Sequence, residues 1–158
     1  MSQNLYPLDS VLPHRAPMIL IDGIETFDEQ EIRTHLTIRP SCPFFVEGKG
    51  IAAHVAMEWM AQSCAAFVGA EAVQAQQPVK IGFLLGTRNF SAALDWFTEG
   101  EALGITARPV YREAGMGQFD CAVYRRGSEA ELATAQLTVY QPDDHLSLIE
   151  SQTAERGE

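Results

Sequence analysis

The stretch over residues 51–73 constrains the fold of this chain more than any other feature of its sequence. It contains no proline, is rich in Ala, Met and Val, and places apolar residues on nearly every side of a helical projection. A helix that is apolar all round is one that other parts of the protein surround. We therefore predict a long, buried central helix.

Three polar residues, His54, Glu58 and Gln62, are spaced four apart along this predicted helix. That spacing places them above one another on one face. Between Gly50 and Gly69, Glu58 is the only formally charged residue, and burying an unpaired carboxylate is costly. A buried carboxylate suits proton donation, so Glu58 is the first candidate catalytic residue, with hydrogen bonding to loop amides as the structural alternative. For His54 alone, the simpler interpretation is a structural histidine.

Length and charge limit the classes of protein to which the chain can belong. Its 158 residues, 46% hydrophobic and 20% charged, are typical of one globular domain. A formal net charge of -10 argues against a nucleic-acid binder, because no basic patch is available to neutralise phosphates. No apolar run has the roughly 18 to 20 residues of a membrane span.

We predict one domain over residues 1–142 and an acidic, flexible tail over 143–158. Five acidic residues and one arginine give that tail a net charge of -4.

The three cysteines, Cys42, Cys64 and Cys121, are odd in number and form no Cys-x-x-Cys pair. Together with a largely polar opening segment, this predicts free thiols in a reducing cytoplasm. Each cysteine is best interpreted as a small buried apolar side chain. The four histidines are scattered without the spacing of metal ligands, so we expect no metal site.

Segments on both sides of the central helix have the patterns of β-strands. Residues 18–27 and 31–39 precede it, and the second alternates, with Ile32, Thr34, Leu36 and Ile38 on one side. The strands predicted after the helix cover residues 79–86 with a continuation to 94, 101–112, 118–125 and 132–140. This order indicates an α+β protein in which one antiparallel sheet is wrapped round one buried helix.

The loop before the helix, residues 40–50, contains two prolines and two glycines around an apolar trio. Gly48 and Gly50 flank Lys49 close to the predicted start of the helix, where the helix dipole is positive. We expect backbone N–H groups of this loop to be accessible there.

Several short motifs, in order along the chain, resemble those of the β-hydroxyacyl-acyl-carrier-protein dehydratases. Residues 12–22 (LPHRAPMILID) are similar to their opening motif, 43–45 (PFF) to the start of their active-site loop, and 57–62 (MEWMAQ) to the segment with their catalytic acid. Residues 82–88 (GFLLGTR) and 119–121 (FDC) most resemble a predicted 3-hydroxyacyl-carrier-protein dehydratase subgroup associated with aryl polyene pigment clusters.

The resemblance covers roughly residues 10–142 and implies the hotdog fold, in which a curled antiparallel sheet is wrapped round a long central helix. It implies at least a dimer, with two sheets edge to edge, formed with an identical or a different hotdog subunit. It further implies water elimination from a 3-hydroxyacyl thioester to the trans-2-enoyl thioester in fatty-acid or polyene-type biosynthesis. The acyl group would be carried on the phosphopantetheine of an acyl carrier protein, with no other cofactor.

The resemblance places Glu58 on the catalytic acid of the family, whereas the family's loop histidine has no counterpart in residues 46–50 (VEGKG). His54, one turn before Glu58, is a candidate replacement base, and a group from a partner subunit is the alternative. Expected substrate contacts are Phe45, Gly48, Gly50, Gln62 and Gly86. Two other functions stay open: a non-catalytic partner of an active hotdog subunit, favoured by the missing histidine, and an acyl-thioesterase whose helix carboxylate activates water.

Overall fold

In the computed structural model, the described residues are 7–12, 18–79 and 82–141. The helices are α1 (Leu8–Val11) and α2 (Ala56–Gln74), with a 3-10 turn (Ala53–Val55) before α2. The strands are β1 (Gly23–Phe27), β2 (Ile32–Thr37), β3 (Ile51–Ala52), β4 (Phe83–Ala92), β5 (Trp96–Phe97), β6 (Ala102–Glu113), β7 (Met116–Arg125) and β8 (Glu131–Tyr140). The predicted tail over 143–158 lies outside the described residues, as do residues 13–17 of the opening motif.

Within the described residues, six strands form one antiparallel sheet in the order β1-β2-β6-β7-β8-β4, and β3 pairs with β5. Helix α2 packs against β2, β6, β7 and β8 and so covers the inner face of the sheet. This arrangement confirms the predicted α+β class and the antiparallel sheet wrapped round a central helix. The sheet ends at β1 on one side and at β4 on the other.

The predicted alternation over residues 31–39 is confirmed by β2, in which buried and half-buried residues alternate. Thr34 is polar yet fully buried, and its hydroxyl lies 2.7 Å from Ser63 Oγ on α2. Because Ser63 Oγ donates to the Trp59 carbonyl at 2.8 Å, Thr34 must be the donor to Ser63. This satisfied polar contact joins the sheet to the helix inside an apolar core.

The central helix begins at Ala56, not at residue 51 as predicted. Ile51 and Ala52 form a strand that pairs with Phe97 and Trp96, and a 3-10 turn follows before α2 starts. An apolar pattern cannot distinguish a short buried strand from the first turn of a buried helix. The choice depends on hydrogen-bond partners that lie far away in the sequence.

Aromatic rings enclose the middle of α2 and confirm that most of this helix is surrounded. Phe67 is fully buried, and its ring meets those of Phe27 and Phe119 edge-on, with centroids 5.2 and 5.8 Å apart. On another side, Gly69 lets α1 approach, since a Cβ there would lie 1.8 Å from the carbonyl oxygen of Val11. No helix in the described part of the chain is long and apolar enough to cross a membrane.

Two predicted strands differ in extent from the observed ones. Strand β1 begins at Gly23 rather than at residue 18. Strand β4 begins at Phe83 rather than at residue 79 and runs as one strand to Ala92, not to residue 94. Its pairing to β8 has two irregularities, between Leu84 and Gly86 and between Arg88 and Ser91. The predicted continuation of this strand beyond residue 86 is therefore confirmed.

Candidate active site

Glu58 lies beside a cavity between helix α2 and the β4 edge of the sheet. The volume of this cavity is about 160 Å³. Its lining residues are Glu58, Ala61, Gln62, Cys64, Ala65, Val68, Gly82, Leu84, Val139 and Gln141. The walls are mainly apolar, and Glu58 is the one carboxylate among these lining residues. A carboxylate at an apolar cavity can transfer a proton to or from a ligand that the cavity holds.

The prediction that Glu58 is buried is wrong for the single subunit. Its side chain is exposed, although the adjacent Trp59 is buried, because α2 has one face against the sheet and another that the sheet leaves open. The open face carries Ala61, Ala65 and Val68, all half-buried. The sequence pattern did not reveal this face, since its apolar residues resemble those of a core.

The spacing of residues 58, 61, 65 and 68 is nevertheless the spacing of one helix face. Sequence reasoning named Glu58 on this face and missed its apolar members Ala61, Ala65 and Val68. The signal that could have found them is the combination of small side chains with a single carboxylate on that face.

His54 does not lie with Glu58 at the cavity. It is exposed and belongs to the 3-10 turn before α2. A 3-10 segment has about 3.0 residues per turn instead of 3.6, so a spacing of four no longer places residues on one line. The structure therefore brings Glu58 and Gln62 to one cavity and leaves His54 outside its lining. A role for His54 as base stays a prediction.

Gln62 is 5% exposed and uses both ends of its amide to hold the segment before β1. Its Oε1 accepts a hydrogen bond from the Leu20 N–H at 2.8 Å, and its Nε2 donates to the Met18 carbonyl at 2.6 Å. These contacts explain why residues 18–20 lie against α2 rather than in the strand predicted for them. The structure gives Gln62 a positioning role, and substrate contact by Gln62 stays a prediction.

The predicted accessible N–H groups at the loop glycines are not found at Gly50. Its N–H donates to the Val46 carbonyl at 2.9 Å, and the loop is separated from Ala56, where α2 begins, by β3 and the 3-10 turn. Gly50 has φ of +104°, and a Cβ there would lie 2.0 Å from the carbonyl oxygen of Phe97. This glycine is required by the backbone, and Gly48, with φ of +82° and open space around it, stays a predicted contact.

Phe45 and Gly86, the other predicted substrate contacts, do not line the Glu58 cavity. Phe45 is half-buried and packs against the core, and Gly86 lies in β4 beside an irregularity. Leu84, two residues before Gly86, does line the cavity. The predicted contacts of Phe45 and Gly86 with substrate stay predictions.

Cys64 forms part of the cavity wall, with its Sγ 3.6 Å from the Sγ of Cys121. Burial, and then the hydrogen bond to Cys121, raises the pKa of the Cys64 thiol well above its ordinary value. This thiol therefore stays protonated and is a poor nucleophile. Among the described residues, no group of three or more His, Cys, Asp or Glu side chains is arranged to hold a metal ion.

Comparison with known proteins assigns this chain to a family. A family model described as ApeP-like, ApeP dehydratase, matches residues 6–150. A chain of "The Dehydratase Heterocomplex ApeI:P from Xenorhabdus doucetiae" is similar in structure, with a TM-score of 0.83 and 26% sequence identity, over 92% of this chain and 99% of that chain. The comparison with curated proteins finds no match.

More distant structures share the fold alone. A hypothetical thioesterase from Streptococcus pneumoniae with coenzyme A has a TM-score of 0.59 and 12% identity, over 75% of this chain and 84% of that chain. The PaaI protein of E. coli has a TM-score of 0.58 and 11% identity, over 74% of this chain and 80% of that chain. The family match confirms the resemblance to the hotdog dehydratases of the aryl polyene subgroup. This chain belongs to the ApeP-like dehydratase family.

Proposed function

We propose that this chain is the carboxylate-bearing subunit of a dehydratase that acts on 3-hydroxyacyl thioesters carried by an acyl carrier protein. The observation that supports this most is the position of Glu58 beside an apolar cavity, next to the edge strand β4. Family membership supplies the class of reaction, and the substrate and its carrier are the proposed part.

The elimination needs an acid and a base. A base removes the proton from the α-carbon, and its electron pair forms the double bond to the β-carbon while the β-carbon–oxygen bond breaks. Protonated Glu58 donates its proton to the departing hydroxyl, which leaves as water. The thioester keeps its acyl chain along the walls formed by Ala61, Ala65 and Leu84, which are apolar.

We assign the base to a second, different hotdog subunit. Residues 46–50 contain no histidine, so an identical subunit would bring the same loop without the base. His54 stays the alternative base within this chain, although it does not line the cavity with Glu58. A subunit placed against the open face of α2 would also bury Glu58 and strengthen its interaction with a bound substrate. The similar chain from Xenorhabdus doucetiae is itself part of a dehydratase heterocomplex.

The carrier protein would present its acyl-phosphopantetheine arm in the cytoplasm, and no other cofactor is needed for the reaction. With a net charge of -10, this chain needs local cations to attract an acidic carrier protein. Lys49, whose Nζ lies 5.2 Å from the Trp96 ring centroid, and the exposed Arg88 are the candidates. Neither forms an ion pair with another described residue.

The test is an assay of 3-hydroxyacyl-acyl-carrier-protein, with this chain alone and with its hotdog partner, read by mass spectrometry. Glu58→Gln keeps the shape of the side chain and removes the acid, so we expect the rate to fall by about 10²- to 10⁴-fold. Glu99→Gln, an exposed glutamate away from the cavity, is the matched control and should leave the rate unchanged. His54→Ala distinguishes the two candidate bases.

Each other result identifies a different function. Activity with the partner that survives Glu58→Gln would mean that this chain is a non-catalytic subunit. Release of free acid and thiol in place of the enoyl thioester would indicate a thioesterase.

A further inference from the structure

The Glu58 cavity shares a wall with a second cavity beneath the β6–β7 hairpin. Three residues line both cavities: Val68, Val139 and Gln141. The second cavity has a volume of about 350 Å³, compared with about 160 Å³ for the first. Its other lining residues are Arg112, Glu113, Ala114, Gly115, Met116, Gly117 and Phe119.

The position of Val139 in the sheet makes it a divider between the two cavities. On one side it pairs with Leu84 of β4, which lines the Glu58 cavity, and on the other with Gly117 of β7, which lines the hairpin cavity. The chain just beyond it is held in place, because the Gln141 N–H donates to the Gly115 carbonyl at 2.8 Å.

On the helix, Val68 lines the same two cavities as Val139. It follows Glu58 by ten residues, which corresponds to about 15 Å along the axis of α2. Both belong to the open face of the helix, with Ala61 and Ala65 between them. A chain that starts beside Glu58 and runs along this face therefore reaches Val68 last.

Beyond the two valines the walls include two charged side chains, Arg112 and Glu113. Arg112 lies there, with its Nη1 2.7 Å from Glu71 Oε2 and its Cζ 5.6 Å from the Phe67 ring centroid. Glu71 is on α2, three residues after Val68, so this ion pair follows directly on the apolar face. Burial of an aliphatic chain on the Glu58 side of the valines favours binding. A longer chain that reaches the Arg112–Glu71 ion pair would remove water from charged groups, which opposes binding.

We infer that Val68 and Val139 form a constriction that sets the longest acyl chain this dehydratase accepts. The inference rests on the proposed function, because it requires the reacting end of the substrate to lie at Glu58. Removing methyl groups at either position joins the two cavities, and adding a methylene at position 68 shortens the first one.

The experiment compares kcat/KM on 3-hydroxybutanoyl, 3-hydroxyhexanoyl, 3-hydroxyoctanoyl and 3-hydroxydecanoyl carrier protein, with the chain in complex with its hotdog partner. Relative to wild type, Val68→Ala should raise the ratio of the longest to the shortest substrate by about tenfold or more, and Val68→Leu should lower it. Val139→Ala should act in the same direction as Val68→Ala. Val73→Ala is the matched control, since Val73 is half-buried on the same helix and lines neither cavity.

A second measurement separates this inference from the proposed function. Unreactive acyl-pantetheine thioethers of the same four lengths are titrated calorimetrically into each variant. Suppose that the preferred thioether length changes in the Val68 variants while none of the proteins dehydrates a substrate. That result would support the constriction and overturn the proposed reaction. Dehydration with the same length profile in Val68→Ala, Val68→Leu and wild type overturns the constriction and leaves the reaction intact.

Discussion

At the scale of single residues, two residues, Gly50 and Gln62, have roles in the backbone structure. Gly50 and Gln62 were both predicted to contact substrate, yet each has a structural role in the folded chain. Gly50 occupies a conformation that L side chains avoid, and Gln62 satisfies two backbone groups of a neighbouring segment. Both roles can be tested separately from catalysis.

Alanine substitutions at Gly48 and Gly50 separate the cost of steric overlap from the cost of backbone strain. Both glycines have positive φ, but a Cβ meets the Phe97 carbonyl at 2.0 Å at Gly50 and meets nothing within 4 Å at Gly48. Gly48→Ala should lower the free energy of unfolding by about 1–2 kcal/mol, the cost of the left-handed conformation. Gly50→Ala should cost more, because it also displaces β5. Equal midpoints in urea unfolding would show that the overlap relaxes freely.

Gln62→Met tests the clamp on the segment before β1. Methionine has a similar volume, so the main effect is that the Leu20 N–H and the Met18 carbonyl lose their partner. We expect a loss of about 1–3 kcal/mol in unfolding free energy for each group that stays buried and unsatisfied. The control is Gln74→Met, at an exposed position on the same helix, which should change stability by less than about 0.5 kcal/mol. Equal effects of the two substitutions would disprove the clamp.

At the scale of elements, Glu101 joins the turn after β5 to strand β7. Its Oε2 accepts the Thr98 N–H at 2.7 Å, and its Oε1 accepts Arg125 Nη2 at 2.7 Å. Burial acts to raise the pKa of Glu101, but the hydrogen bonds and charge of Arg125 and the Thr98 N–H together outweigh it and lower that pKa. The contact thus depends on the charged form of the carboxylate.

A lowered pKa in the folded state gives this contact a defined pH dependence. Its stabilisation is fully present above the ordinary pKa of a glutamate, about 4.3, and is lost as pH falls through the lower folded value. Glu101→Gln should therefore reduce stability at neutral pH and flatten the acid side of the stability curve. Thermal unfolding from pH 7 to pH 3 measures this. Parallel curves for the variant and wild type would contradict it.

At the scale of the whole molecule, the subunit leaves two adjoining apolar features uncovered. One is the open face of α2, and the other is the edge strand β4, on which Leu84 is 44% and Leu85 55% exposed. Exposed edge strands with apolar residues are normally covered, because their free backbone groups pair with other chains. Both features lie at the β4 edge of the sheet, so we expect a second subunit to bind there.

Leu85→Lys tests this assembly, because a lysine on an edge strand opposes pairing with another sheet. We expect the substitution to shift the complex with the hotdog partner towards free subunits in analytical ultracentrifugation. Val110→Lys replaces an equally exposed apolar residue on β6, away from the edge, and should leave association unchanged. Assembly that tolerates Leu85→Lys would exclude β4 as the interface.

Local patterns were sufficient for much of the architecture. The alternation of β2 and the apolar, proline-free stretch of α2 each reflect contacts that repeat along a single element, so one sequence reveals them. The family motifs also placed a carboxylate at position 58 and no histidine in residues 46–50, and the catalytic role of Glu58 stays a prediction. The predictions of β2 and α2 were confirmed because they depend on residue spacing within one element, which tertiary packing does not alter.

Tertiary structure alone decided which face of α2 stays open and what meets it. Glu58 is exposed, His54 is outside the cavity lining, and Val68 and Val139 line the same cavities, because the sheet covers only part of the helix and β8 pairs with β4. None of these relations is local: each joins residues far apart in the chain through strand register. Local sequence patterns were enough to indicate a central helix that carries the carboxylate of Glu58. The packing of the sheet around that helix determined where the carboxylate can act, because register and curvature arise only when distant strands pair.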